Sequence, residues 1–169
     1  MWIPVGSRML GYILLGMVPQ ERPGWVNIEI RSATATDWLN LEVRTETNRK
    51  TERFRLRETI LFRDHKLQKE IDRFIASHKS GWLMDGKGAM IPSAKNKAVR
   101  YDLSTELALR GFAVSVYWNQ KGDALANCVD VAKQNRLGVF SLSEKDRRKA
   151  LDRVRSVQAS YLKKHGNKP

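Results

Sequence analysis

The sequence predicts an α+β protein on three observations: strand-like alternation early in the chain, helical spacing that recurs after Asp64, and a basic run at its end. Trp25 to Arg31 sets Val26, Ile28 and Ile30 against Asn27, Glu29 and Arg31, and Trp38 to Arg44 repeats the scheme with Leu39, Leu41 and Val43. A period of two puts one set on a buried face and the other in water. From Lys133 to Pro169 eleven Lys or Arg stand against three Asp or Glu, which places +8 of the net charge of +13 there.

The elements follow in order. The apolar run Met9 to Val18 is ten residues long and contains Gly11 and Gly16. That is too short to span a bilayer, and the Pro-rich stretch after it is a poor signal-cleavage site, so it reads as a buried first strand of a cytoplasmic protein with no membrane insertion. Ser32 to Asp37 suits a hairpin turn, and Thr45 to Glu52 a second connection, leading to a third strand from Arg53 to Phe62. Together these predict an antiparallel meander with one wet face.

Asp64 can cap a helix running to about His78, whose apolar face is Leu67, Ile71, Phe74 and Ile75. Ser80 to Lys97 holds three glycines and a proline without a clean period, and reads as loop flanking at most one short strand. A helix is expected over Asp102 to Arg110, closed by Gly111, then a buried strand from Phe112 to Trp118. Asp123 to Gln134 carries Leu125, Cys128, Val129 and Ala132 on one helical face. Ser143 caps the last helix, with Asp146 completing a short-armed capping box. That helix should bury Ala150, Leu151, Val154, Val157 and Tyr161, with Arg147, Arg148, Lys149, Arg153 and Arg155 on its other face. The organisation expected is one domain over 1–169: a strand-rich part (1–62), a helix and strand part (63–162) and a basic tail (163–169).

A charge of +13 and a pI near 10.2 favour a polyanionic partner, because each neutralised phosphate releases condensed counterions. Nucleic acid leads, with a merely solvating basic surface as the alternative. Cys128 is the only cysteine, so no internal disulfide can form. It suits a small hydrophobe in a reducing compartment better than a catalytic thiol. No His pair at ligand spacing, Cys cluster, nucleophile elbow or Walker-type loop is present, and His65, His78 and His165 stand apart.

Two stretches carry chemistry suited to phosphate. In Asp85-Gly86-Lys87-Gly88 the glycines let backbone amides approach an anion while Lys87 supplies charge; a plain tight turn is the alternative. Lys133-Gln134-Asn135-Arg136 ends one helix and leads through Gly138 to another, whose first amides can hold an anion; a helix-terminal cap is the alternative. Glu106 and Arg110 stand one helical turn apart, where they can pair with each other.

Across residues 83–154, an Asp-Gly-basic turn precedes a helix ending in glycine and a Val-rich strand. An Asp-Ala helix follows, ending near Asn135-Arg136-Leu137-Gly138, and then Leu142-Ser143-x-x-Asp146-Arg147-Arg148-x-Ala150. This order resembles the ParB N-terminal and sulfiredoxin superfamily, in which two boxes jointly bind nucleotide phosphates. The resemblance implies a mixed sheet with an N-terminal antiparallel meander and a basic C-terminal helix. Asp85, Gly86 and Lys87 would stand for the first box, with Gly88 where His or Arg is usual, and Gln134, Asn135 and Arg136 for the second.

A sulfiredoxin role needs a cysteine in the phosphate box, whereas Cys128 falls in a helix. The residues after Tyr161 leave no room for the DNA-binding and dimerisation domains of partition proteins. Size and charge resemble most the compact fertility-inhibition factors of the oncogenic-suppression type. That likeness implies a plasmid-encoded nuclease that binds and hydrolyses ATP or another nucleotide, with Mg2+, and interferes with conjugative DNA transfer. DNA would be its partner, with conjugation or type IV secretion components as further ones. Asp85 or Glu106 would act as base or metal ligand, with Lys87, Arg100, Arg110 and Arg136 stabilising charge. Arg100, Arg147, Arg148, Lys149, Arg153 and Arg155 would contact DNA. The alternatives are a non-enzymatic DNA-binding regulator and an inhibitor that docks an acidic protein.

Overall fold

Alternation of apolar and polar residues builds the first half into sheet. The computed structural model describes residues 2–4, 12–14, 25–45, 50–56, 58–84, 88–92 and 100–166. Strands β1 (Trp2–Pro4) and β2 (Tyr12–Leu14) pair with each other, so the apolar run Met9 to Val18 contributes Tyr12–Leu14, the rest lying outside the described residues. β3 (Trp25–Ala35), β4 (Leu39–Thr45) and β5 (Thr51–Arg55) form the expected antiparallel meander, with Ile28, Leu39, Leu41 and Val43 buried. Asn40, Glu42 and Arg44, on the opposite face, keep contact with water.

Two details of the meander differ from expectation. Ser32 to Ala35 is strand rather than turn: a bulge between Ile30 and Ser32 shifts the register, and Ala33 and Ala35 then pair with Leu41 and Leu39. The reversal is confined to Thr36–Trp38, where the Thr36 amide donates to the Trp38 carbonyl at 2.9 Å. The third strand is also broken. Glu58 adopts a left-handed backbone (φ 55), so the chain leaves the sheet after β5, and β6 (Thr59–Leu61) pairs elsewhere.

α1 (His65–Ala76) matches its sequence signals, with the Asp64 carboxylate accepting from the Lys66 and Leu67 amides and Leu67, Ile71, Phe74 and Ile75 buried. Ser80 to Lys97 contains two strands where at most one was expected, β7 (Ser80–Met84) and β8 (Gly88–Pro92). Pairing of β7 against β3, and of β8 against β7, supplies the order that the local sequence lacks, and β9 (Arg100–Asp102) extends the sheet to β5-β4-β3-β7-β8-β9. All its ladders are antiparallel among the described residues, whereas the resemblance implies a mixed sheet. The α+β class stands.

α2 (Leu103–Leu109) starts at an Asp102 cap and ends at Gly111, which takes the left-handed backbone expected (φ 70). The buried strand after it is shorter than expected. Only β10 (Ala113–Ser115) pairs, with β6, because the Ser115 hydroxyl accepts from the Tyr117 amide and draws Val116–Asn119 into a turn. α3 (Ala126–Gln134) and α4 (Glu144–His165) complete the chain, joined by a 3₁₀ turn over Gly138–Ser141. One hydrophobic cluster draws on β3, β4, all four helices and β10, so the alternating strands of the first half and the helices of the second close the same core. No helix among the described residues is long and apolar enough to cross a membrane.

The end of α2 meets the turn between α3 and α4 backbone to backbone. The Val139 amide donates to the Gly111 carbonyl at 3.0 Å, and a Cβ built on Gly138 (φ 55) would lie 2.3 Å from that same oxygen. Both residues must therefore be glycine, and the contact fixes the corner on which the cleft described next is built.

Candidate nucleic-acid interface

A cleft of about 710 Å³ opens where the turn after β10, the C-terminal half of α3, the 3₁₀ turn and the first half of α4 meet. Its cations come from separate elements: Lys133 from α3, Arg136 from the corner after it, and Arg147 and Arg155 from α4. On α4 the residues Arg147, Leu151 and Arg155 recur every four positions and so form one stripe facing the cleft. Trp118, Phe140 and Val129 supply apolar wall; Asn119 and Ser141 add neutral polar groups, and Asp130 is the one carboxylate lining the cleft among the described residues.

The backbone at Arg136 is built for exposure. The Leu137 amide donates to the Ala132 carbonyl at 2.9 Å and the Arg136 amide to the Lys133 carbonyl at 3.1 Å, which closes α3 with Arg136 in the left-handed position (φ 52). Glycine is usual there, and an arginine carries roughly 1–2 kcal/mol of backbone strain. A strained non-glycine residue at the lip of a cleft is a reason to look for function in its side chain.

Electrostatically the cleft is unanswered. Lys133, Arg136 and Arg147 are in no ion pair among the described residues, and Arg155 meets only Asp152, at 3.2 Å, with both side chains exposed. Such cations at a partly enclosed surface raise the local potential and favour an anion. The N-terminus of α4 adds little, since the Ser143 hydroxyl accepts from the Asp146 amide at 3.2 Å and donates to the Asp146 carboxylate at 2.9 Å. Glu144 and Asp146 already occupy its first turn.

The residues expected at a site from sequence are only partly brought together. Arg136, Arg147 and Arg155 share the cleft. Gln134 and Asn135 are exposed beside it, the Asn135 amide donating back to the Val131 carbonyl at 2.8 Å. Asp85, Gly86 and Lys87 lie outside the described residues; Gly88 opens β8 opposite Met84, and Arg100 opens β9 opposite Pro92. Glu106 does not reach the cleft. It takes the Arg110 guanidinium at 2.8 Å, while Arg110 also lies over the Phe74 ring.

The basic face expected on α4 divides. Arg148 pairs with Glu144 at 2.8 Å and lies with Lys149 on a shallow acidic-basic surface away from the cleft. Arg153 grips both oxygens of Asp37, at 2.6 and 3.0 Å, and thereby ties α4 to the hairpin between β3 and β4. Arg155 and Arg153 therefore flank the buried stripe of Ala150, Val154 and Gln158 on opposite edges, while the half-buried Arg147 continues that stripe at the N-terminal end of the helix.

Trp118, Asn119 and Asp130 went unnoticed as site residues. Trp118 reads from sequence as the end of a buried strand, and nothing local signals the turn that brings it to the cleft. Cys128 is buried as expected, and burial, then Asp102, Asp123 and Glu106, push its thiol up to about 11. Burial and a raised thiol both suit the small-hydrophobe reading of this residue. Asp102, buried at the start of α2, accepts from the Thr105 amide and hydroxyl at 3.0 Å through one oxygen, while no group among the described residues hydrogen-bonds the other. Burial pushes its carboxyl up to about 7. No group of three His, Cys, Asp or Glu among the described residues could hold a metal ion. Comparison with protein-family models, curated proteins and solved structures finds no match to this chain.

Proposed function

We propose that the protein binds DNA and seats phosphates in the cleft between α3 and α4. The observation that carries this reading is the set Lys133, Arg136 and Arg147, unpaired among the described residues and converging from three elements on one concavity. A chain at +13 already attracts polyanions over its whole surface; the cleft supplies a place where phosphates are held. Binding should weaken steeply between low and moderate salt. Arg136→Gln and Arg147→Gln should each lower the slope of log affinity against log salt by about 1, while Arg148→Gln, outside the cleft, changes it less. Affinity insensitive to salt, or equal effects of all three variants, would contradict the reading.

A second reading adds chemistry. Asp130 stands in the same cleft as Arg136, so a carboxylate and a cation border the position proposed for phosphate. The superfamily resemblance extends this to phosphodiester cleavage under ATP control, with Mg2+ as companion ion, interfering with conjugative transfer. Supercoiled plasmid incubated with and without Mg2+ and ATP tests it: nicking that disappears in Asp130→Asn supports cleavage, and intact plasmid under every condition removes it while leaving the binding reading in place.

A further inference from the structure

We infer that the cleft accepts an unpaired nucleotide of single-stranded DNA, its base against Trp118 and its phosphate on Arg136 and Arg147. The inference rests on the reading that DNA phosphates bind there, and it adds which form of DNA is preferred.

The first support is shape. A duplex keeps its bases stacked inside and offers phosphates on a convex cylinder, which suits cations spread over an open face. Here the unpaired cations rim a concavity of about 710 Å³. That is within the range, roughly 300–1,000 Å³, of pockets that enclose a small ligand. One flipped or unpaired nucleotide fits that description, and a double helix does not.

The second support is the wall. Trp118 is partly exposed and held in place: its amide donates to the Ser115 carbonyl at 2.9 Å, its carbonyl accepts from the Gln158 amide at 2.8 Å, and its ring meets Phe62 edge-on, centroids 6.2 Å apart. An indole already fixed by packing loses little freedom when a base stacks on it. Asn119, also in the cleft, presents an amide that can donate to or accept from a base edge. Aromatic wall and cationic rim within one small cleft are the two components of single-strand recognition.

Anisotropy titrations of the full chain with a short labelled strand and with the duplex of the same sequence test the inference. The wild type should prefer the single strand by about ten-fold; Trp118→Ala should remove that preference, and Trp118→Phe should retain most of it. Because Trp118 also packs on Phe62, a strand substituted with bromouracil and irradiated with the wild-type protein gives a reading that needs no variant: the adduct should map to the peptide containing Trp118. Equal affinity for both forms, or an adduct mapping elsewhere, overturns the inference and leaves DNA binding standing. Binding to neither form overturns both.

Discussion

Two arginines of α4 that meet different surroundings show how differently one kind of charge is used. Arg153 holds both oxygens of Asp37, a residue 116 positions earlier in the chain, and its work is to tie the helix to the sheet. Arg147, six residues before it, faces Arg136 and Lys133 across the cleft with no carboxylate in an ion pair with any of the three among the described residues. A count of positive charge treats the two as one basic surface. The positions of the acids separate them into a structural edge and a binding edge.

The largest expected effect breaks the binding edge by removing its scaffold. Gly138→Ala would drive a Cβ to within 2.3 Å of the Gly111 carbonyl from a left-handed backbone. We expect a loss of at least about 3 kcal/mol in denaturant unfolding. Gly122→Ala is the control: its φ is +91, but nothing lies within 4 Å of a Cβ there. It should cost only about 1 kcal/mol.

Next comes Asp102, which starts the helix whose far end supports the corner. Its folded carboxyl is raised from 3.8 to about 7, so between those values the folded state binds the proton more tightly than the unfolded chain. Stability from this group therefore falls as pH rises from about 4 to 7 and is level above, by up to a few kcal/mol in total. Unfolding of wild type and Asp102→Asn at pH 5 and pH 8 should show the variant gaining relative stability at the higher pH. A difference independent of pH would mean that the carboxyl titrates normally.

The smallest effect belongs to the structural edge. Asp37→Asn should lower the melting temperature slightly, as loss of an exposed ion pair does, and leave DNA affinity as in the wild type. If it weakened binding as much as Arg147→Gln, the distinction between the edges would fail.

Local signals in the sequence carried much of the helical part. Asp64, Gly111 and Ser143 marked helix ends through caps that involve only neighbouring residues, and the spacing of Leu67, Ile71, Phe74 and Ile75 set the buried face of α1. What the sequence did not disclose depends on distant partners. β7 is a strand because β3 offers it an edge, β8 because β7 then does the same, and β6 leaves the meander because β10 pairs with it. Arg136 was legible as a site residue from its place after α3, but Trp118 was not, since the alternation of Val114 and Val116 ahead of it reads as a strand continuing through the turn. The division of the α4 arginines required knowing that Asp37 lies beneath one of them.

Arg136→Gly tests the central claim most directly, because structure and function pull it in opposite directions. Glycine relieves the left-handed strain at φ 52, so thermal unfolding should show a fold as stable as the wild type or more stable, by up to roughly 1 kcal/mol. Affinity for a single-stranded oligonucleotide should fall, and the salt slope should drop by about 1. Unchanged affinity and slope in a protein that has become more stable would mean that Arg136 holds no phosphate and that the cleft is not the DNA site.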